Sequence, residues 1–413
     1  MEVKPGYKLT DVGVIPEEWD VRTLSQTAKR ITRGASPRPI DSPLWFDARS
    51  SVGWVRISDV TRSGRYLTET SQRLSEAGIR KSRPVPSGSL IMSICATVGR
   101  PIETRIDACI HDGFVVFEQP AVHQSFLYHV LAALEPTWSK RGQTGSQMNL
   151  NTGIINGCLV PVPPTEVEQS AIAAALSDVD ALLDGLDRLI AKKRDLKQAA
   201  MQQLLTGQTR LPGFSGEWEV KRLGDLGPFL KGSGVKKDEA LSGDIACIRY
   251  GEIYTHHHDY VRAFNSWISR DVADTATALR PGDVLFAGSG ETKEEIGKCV
   301  ALVDDVEAYA GGDIVILRPN GAVSLFLGYL LNSPAVVTQK ASLGQGDAVV
   351  HISASALASI RLTLPSAGEQ TAIAAVLSDM DAELAALEAR RGKTRDLKQA
   401  MMQELLTGRT RLV

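Results

Sequence analysis

Residues 168–211 read EQSAIAAALSDVDALLDGLDRLIAKKRDLKQAAMQQLLTGQTRL, and residues 369–412 read EQTAIAAVLSDMDAELAALEARRGKTRDLKQAMMQELLTGRTRL. The two stretches align without a gap at an offset of 201 residues, and 29 of their 44 positions are identical. Solenoid repeats span only about 20 to 50 residues, so this period indicates two large equivalent units rather than a repeat array.

Each copy has the start and stop signals of one long helix. In the first copy, Thr165 stands three residues before Glu168, which is a capping-box pattern, and Gly207 follows the final Leu-Leu-Thr. The second copy repeats both signals, from residue 366 to residue 408. About 39 residues run between the signals, which predicts helices roughly 58 Å long.

Apolar residues along each copy follow the alternating four- and three-residue spacing of a coiled-coil seam. The predicted pairing positions are Ile172, Leu176, Val179, Leu183, Leu186 and Ile190, and in the second copy Ile373, Leu377, Met380, Leu384 and Leu387. We expect the helices to pack on each other antiparallel, with a pseudo-twofold axis relating the two halves. The alternative is two separate amphipathic helices, each lying on its own domain.

The segment before each helix is about 160 residues long and shows short apolar runs between turn signals, which predict strands. The predicted fold is therefore α+β, with two β-rich domains and two long helices. The boundaries are 1–164 for the first domain, 165–206 for the central helix, 207–365 for the second domain and 366–413 for the C-terminal helix. The domains share landmarks such as Trp19 and Trp218, or Arg56 and Arg249, but the residues between landmarks differ. This pattern is typical of a common scaffold that carries two different recognition surfaces.

Composition limits the classes of protein. The net charge of −2 argues against an indiscriminate nucleic-acid binder, although residues 22–83 carry 13 Lys or Arg against 5 Asp or Glu. The five cysteines form no CxxC pair, and no apolar run approaches the length of a membrane span. We therefore expect a cytoplasmic protein with no membrane partner.

Catalytic motifs are scarce in the sequence, which lacks a Walker A, an HExxH and a GxSxG pattern. The triplet of histidines at 256–258 is a poor metal site, because neighbouring side chains on a strand point to opposite faces. Asp283, Glu291 and Lys293 mimic the acid and lysine pattern of metal-dependent nucleases, and such a nuclease is one alternative function. A scaffold whose two heads bind proteins is another.

The loops offer hydrogen-bond donors instead. Arg and Lys can bridge guanine or bind phosphate, and Gln and Asn can bridge adenine. The candidate DNA-binding residues are Arg33, Arg38, Arg62, Arg65, Arg141, Gln143, Gln147 and Asn149 in the first domain, and Lys231, Lys236, Lys237, His256, His257, Lys293 and Gln345 in the second.

Taken together, the chain resembles the DNA-specificity subunit of type I restriction-modification systems over its whole length. The resemblance rests on the duplicated EQ-x-AI, LKQ and LLTG segments of the helices, on the tryptophan landmarks, and on the Gly-Gln loops near residues 142–147 and 344–347. It implies that residues 1–164 and 207–365 are target-recognition domains, each reading one half of a bipartite site in double-stranded DNA.

The resemblance also implies the partners and the division of labour. The paired helices would fix the spacer between half-sites and dock modification subunits that methylate adenine, and motor-nuclease subunits would join for restriction. S-adenosylmethionine, ATP and Mg²⁺ are expected on those partners, and no cofactor, metal or catalytic residue is expected on this chain. Domains that read one face of a duplex must lie about one helical turn, ~34 Å, apart, and a stiff helix pair can hold such a distance.

Overall fold

The chain forms two compact units. The computed structural model describes residues 4–138, 150–346 and 349–412. Unit 1 comprises Met1–Asp187 together with Arg390–Val413, and unit 2 comprises Arg188–Ala389. Each unit therefore contains one globular domain together with parts of both long helices.

The two long helices span Glu166–Leu204 and Ala367–Leu405, and each has 39 residues. Each begins one residue after its predicted capping residue and ends three residues before its predicted glycine. At the start of the first, the Thr165 hydroxyl accepts a hydrogen bond from the Glu168 amide at 3.2 Å, which is one half of the predicted capping box. Gly207 and Gly408 both have a φ of 70°, so the predicted left-handed residues after the helix ends are present.

The domain of unit 1 contains two mixed sheets. The strand order in the five-stranded sheet is Ala28–Arg33, Phe114–Pro120, Leu90–Ser93, Pro101–Thr104, Tyr66–Leu67. The order in the four-stranded sheet is Gln72–Arg73, Gly53–Val55, Ala108–Ile110, Arg83–Val85. Two antiparallel pairs complete the β-structure: Tyr7–Thr10 with Gly13–Pro16, and Asp20–Thr23 with Leu159–Val162. The shorter helices are Leu24–Gln26, Pro43–Trp45, Ile57–Arg62, Glu76–Arg80, Gln124–Trp138 and Thr152–Asn156.

The domain of unit 2 repeats both sheets in the same order. The five-stranded sheet runs Phe229–Lys231, Ile314–Leu317, Val284–Ala287, Cys299–Ala301, Asp259–Tyr260. The four-stranded sheet runs Ser266–Ile268, Ile245–Ile248, Ala308–Ala310, Thr277–Ala278. The antiparallel pairs are Glu219–Arg222 with Arg361–Leu364, and Ser289–Gly290 with Val350–His351. The shorter helices are Leu223–Leu226, Lys237–Glu239, Tyr250–Thr255, Arg270–Ala273, Ser324–Leu331, Pro334–Leu343 and Ala354–Ala358.

Burial explains why the central strands read as continuous apolar runs. All four residues of Leu90–Ser93 are buried, as are all four residues of Val284–Ala287. A strand that is covered on both faces loses the apolar and polar alternation of a half-exposed strand. Among the described residues, no helix is both long enough and apolar enough to cross a membrane.

Candidate nucleic-acid interface

Three of the predicted arginines in unit 1 present exposed side chains. Arg33 ends a strand, and its Nε donates to the Asp112 carbonyl at 2.6 Å. Arg38 is exposed in the segment that follows this strand. Arg62 ends the helix Ile57–Arg62 and pairs with Asp59 at 2.7 Å while most of its side chain remains in solvent. These guanidinium groups keep donors available for a polyanion.

Arg65, by contrast, is a structural residue, and its prediction as a DNA contact is corrected here. Its side chain is 6% exposed, and its Nε and Nη2 donate to Glu103 at 3.0 and 2.6 Å. Its Nη1 donates to the hydroxyl of Ser177 on the first long helix at 2.6 Å. The guanidinium lies 4.5 Å from the Tyr128 ring centroid. With its donors used inside unit 1, Arg65 ties the domain to the long helix.

The predicted donors of unit 2 divide in the same way. Those with exposed side chains are Lys231, Lys236, Lys237, His256, Lys293 and Gln345. His257 is only 3% exposed and is the second correction, because a buried imidazole cannot reach DNA in this conformation. Burial lowers the pKa of His257, so its ring is neutral at physiological pH. The predicted donors Arg141, Gln143, Gln147 and Asn149 lie outside the described residues.

The residues of the nuclease alternative do not present a shared carboxylate site. Asp283 is fully buried, and both of its oxygens accept from Arg318 at 2.8 Å. Glu291 and Lys293 are exposed in the turn that follows the strand Ser289–Gly290. Across residues 4–138, 150–346 and 349–412, no three His, Cys, Asp or Glu side chains are grouped so that they could hold a metal ion. The Asp283 carboxylate is instead neutralised by a structural ion pair.

The pairing positions predicted along the long helices are all at least half-buried. Those that are buried are Ile172, Leu176, Leu186, Ile190, Ile373, Leu377 and Leu384, and those that are half-buried are Val179, Leu183, Met380 and Leu387. In unit 1, Ile172 and Leu176 pack in one core with Trp19, with Leu405 at the end of the second helix and with Leu406 just after it. The pairing residues nearest the start of each helix thus pack against the domain that precedes the helix and also against the end of the other helix. The structure therefore combines the two alternatives drawn from the sequence.

Ion pairs show that the helix segments run antiparallel within each unit. In unit 1, Lys398 pairs with Asp180 at 2.5 Å and Arg391 pairs with Asp187 at 2.8 Å. In unit 2, Lys197 pairs with Asp381 at 2.7 Å, and Lys193 pairs with Glu383 at 2.6 Å. In both units the residue numbers rise along one helix while those of their partners fall along the other, which is the antiparallel arrangement.

Each joint between helices also receives groups from its domain. In unit 2, Asp381 accepts from the Tyr329 hydroxyl at 2.7 Å and from Arg262 at 2.9 Å. Burial opposes ionisation of Asp381, but hydrogen bonds from Lys197 and Tyr329 outweigh it and lower the pKa of this carboxyl. In unit 1, the place of Tyr329 is taken by His129, whose Nε2 lies 3.1 Å from the Ser177 hydroxyl.

A second duplicated contact joins the first turn of each long helix to an arginine that follows the end of the other helix. Arg411 binds both oxygens of Glu168 in unit 1, and Arg210 binds both oxygens of Glu369 in unit 2. Each arginine also lies near a tryptophan landmark, Arg411 at 6.0 Å from the Trp19 ring and Arg210 at 5.7 Å from the ring of residue 218. The glutamates therefore bind these arginines and do not complete the reciprocal half of the capping box. The sequence signal for this role was that a Thr-Arg pair follows the helix in both copies.

Comparisons with known proteins agree on one family. The family described as the type I restriction modification DNA specificity domain matches residues 16–192 and again residues 215–394. A Methanocaldococcus jannaschii protein provisionally named the type I restriction enzyme MjaX specificity subunit is 23% identical, over 98% of this chain and 97% of its own length. The MjaVIII specificity subunit of the same organism is 22% identical over 70% of each chain.

Solved structures share the fold. The S subunit of a type I restriction-modification system from M. genitalium superposes with a TM-score of 0.61 at 13% identity and covers 97% of this chain and 98% of its own. A chain from a study of complex assembly and conformational transition in the type I restriction-modification system gives a TM-score of 0.59 at 19% identity, over 95% of this chain and 99% of its own. The fold of two β-rich domains with two long helices is therefore that of these subunits.

Proposed function

The chain belongs to the family of type I restriction modification DNA specificity domains, and from this premise we propose that it recognises a bipartite DNA sequence for its partner subunits. The observation that carries the proposal is the duplication. The two domains have the same sheets in the same order and equivalent joints to the helices, but different exposed donors. A protein that reads two different half-sites needs this combination of a common frame and divergent surfaces.

Phosphate contacts and base contacts have different roles in this proposal. Exposed groups such as Arg38, Lys236 and Lys237 suit contacts with the phosphate backbone of DNA, which attracts positive charge whatever the base sequence. Base recognition requires directed hydrogen bonds from groups that a rigid element positions. The net charge of −2 supports a chain that binds DNA weakly by itself and more tightly with its partners.

Chemistry is assigned to the partners. We assign methyl transfer, with its S-adenosylmethionine, to modification subunits and ATP- and Mg²⁺-dependent cleavage to restriction subunits. This division is supported by the Asp283 carboxylate, which the nuclease alternative would need and which Arg318 binds on both oxygens. Purified chain incubated with DNA, Mg²⁺ and S-adenosylmethionine should neither cut nor methylate it; either activity in the isolated chain would contradict the assignment.

The decisive experiment maps methylation in a host that expresses the chain with a modification subunit. One bipartite motif should be methylated. Replacement of residues 1–164 by the corresponding domain of another family member should then change one half of the motif and leave the other half and the spacer unchanged. Replacement of residues 207–365 is the matched control and should change only the other half. A change in both halves after either replacement would contradict the modular function.

A further inference from the structure

One pocket in unit 1 is lined by hydrogen-bond donors, and none of them belongs to the DNA-binding residues predicted from the sequence. It has a volume of about 330 Å³ and is lined by Ile40, Arg56, Ile57, Ser58 and His111. Arg56 is the first residue after the strand Gly53–Val55, and His111 is the first residue after Ala108–Ile110. These two strands are parallel neighbours, so their carboxyl ends meet at one edge of the sheet and bring both side chains together.

The polar groups of this strand-end pocket are unused donors. Within the described part of the chain, the Arg56 guanidinium makes no hydrogen bond or ion pair, and only its backbone is bonded: the amide donates to Asp59, and the carbonyl accepts from the amides of Asp59 and Val60. The Nδ1 atom of His111 accepts from the Gly113 amide at 2.9 Å, which leaves the proton of the neutral ring on Nε2. Burial is the main cause that lowers the pKa of His111, so the ring donates without carrying charge.

The equivalent place in unit 2 has the same backbone and different chemistry. Arg249 follows the strand Ile245–Ile248, but its guanidinium donates to Ser266 at 3.1 Å and to Glu252 at 3.3 Å. Glycines 251 and 311 stand at the positions of Ser58 and His111. The pocket is thus a position where two domains of one fold differ in available donors, as expected of a residue set that distinguishes one half-site from the other.

We propose that Arg56, with Ser58 and His111, binds the major-groove edge of a guanine in the half-site read by unit 1. Guanine presents two acceptors there, O6 and N7, whereas adenine and cytosine each present an amino donor. Arg56 and the Nε2 of His111 can only donate, so they leave the amino groups of adenine and cytosine unpaired. Thymine presents one acceptor, O4, beside its methyl group, so guanine is the base that offers acceptors to both donors. Two exposed arginines would contact phosphates on either side of this base. Arg33 donates to the carbonyl of Asp112, the residue after His111, and Arg62 ends the helix that follows Arg56. The inference rests on the proposed function and adds the base and the residues that read it.

The first test maps methylated motifs for complexes with Arg56→Ala, with the double change Ser58→Gly and His111→Gly, and with Arg80→Ala. Arg80 is a charge-matched control that lies on the helix Glu76–Arg80, pairs with Glu76 and does not line the pocket. Arg56→Ala and the double variant should relax one guanine position of the first half-site and keep the second half-site and the spacer. Arg80→Ala should leave the whole motif unchanged.

The second test needs no variant and therefore stands if Arg56→Ala fails to fold. Each guanine of the motif is replaced singly by 7-deazaguanine, which lacks the N7 acceptor, and the affinity of the unaltered complex is measured. One position in the first half-site should lose about tenfold in affinity, within the range for a specific arginine–guanine contact. No response at any guanine of that half-site, or a half-site without guanine, would overturn the inference.

The same variants separate a base contact from a phosphate contact. Arg56→Ala that weakens binding equally on all sequences, with a shallower dependence on salt, would identify a phosphate contact and overturn the inference. An unchanged motif would overturn it as well. In each of these cases a bipartite motif is still methylated, so the proposed function survives; failure of the proposed function would appear instead as the absence of any such motif.

Discussion

Arg62 and Arg65 are three residues apart in a stretch that the sequence marks as rich in donors, yet the fold gives them opposite environments: Arg62 ends the helix Ile57–Arg62 and Arg65 lies beyond it. Arg62 is exposed, whereas Arg65 is buried against Glu103 and the first long helix. Sequence could identify the loop as donor-rich, but it could not assign the two roles. The partners Glu103 and Ser177 are 38 and 112 residues away from Arg65 along the chain, and only tertiary packing brings them to it.

Arg65→Ala should therefore affect stability before it affects recognition. The change leaves the buried Glu103 without its cation, and removal of one partner from a buried pair costs about 3 kcal/mol in free energy of unfolding. Arg62→Ala, whose guanidinium is mostly in solvent, should cost well under 1 kcal/mol. Urea unfolding of both variants checks this. Equal stabilities, with DNA binding lost only in Arg65→Ala, would restore Arg65 to the interface.

His129 gives the protein a dependence of stability on pH. The ring is fully buried, and burial together with Arg65 and Lys398 lowers its pKa to about 3, so it stays neutral beside Asp180 at 3.9 Å. The unfolded imidazole has a pKa of about 6.5. Between these values the unfolded chain binds more protons, so stability is full above pH 6.5 and declines as pH falls towards 3.

Lowering the pH from 7 to 5.5 should cost about 1 kcal/mol through this one histidine. His129→Gln should flatten the dependence over that interval, because glutamine does not titrate. His256→Gln, at an exposed ring, is the matched control and should keep the slope of the unaltered protein. The measurement is urea unfolding at each pH, and an identical slope in His129→Gln would show that other groups are responsible.

At the scale of elements, prediction succeeded where the signal was local. Helix caps and seam spacing depend on neighbouring residues, so the sequence predicted two long helices, and the structure has them at Glu166–Leu204 and Ala367–Leu405. The hairpin Tyr7–Pro16 was not predicted. Its strands have only four residues each and the second contains Gly13 and Pro16, which are depleted in strands; a distant contact holds the hairpin, from the Tyr7 hydroxyl to the Gly408 carbonyl at 3.1 Å.

The glycines that end the long helices have the same backbone conformation but different surroundings. An added Cβ at Gly408 would lie 2.4 Å from Pro16, whereas at Gly207 its nearest neighbour would be Trp218 at 3.3 Å. Gly207→Ala should cost about 1 kcal/mol, because the left-handed conformation is strained for alanine. Gly408→Ala should cost roughly 3 kcal/mol, since the clash with Pro16 adds to the strain. Thermal unfolding compares the two variants, and equal losses would show that Pro16 yields freely.

At the scale of the whole molecule, the duplication was visible in the sequence because the helices kept 29 identical positions. The shared domain fold was visible only through sparse landmarks, since the loops had diverged. The strand-end pocket was not visible at all. Arg56 and His111 are 55 residues apart, and nothing in the sequence pairs the strand before one with the strand before the other.

Each long helix begins in one unit and ends in the other, so the length of the helices can be varied without a change in either globular domain. If they set the spacer between half-sites, both must lengthen together to keep Lys398 on Asp180 and Lys197 on Asp381. Four residues inserted after Leu186 and four after Leu387 add roughly 6 Å to each helix, the rise of one to two base pairs.

Methylation mapping of this double insertion should show both half-sites unchanged and a spacer longer by one or two base pairs. An insertion after Leu186 alone is the control, and it should impair folding because the ion pairs of one unit must shift by a turn relative to the helix they bind. A folded double insertion that methylates the original motif with the original spacer would mean that the helix pair does not determine the distance.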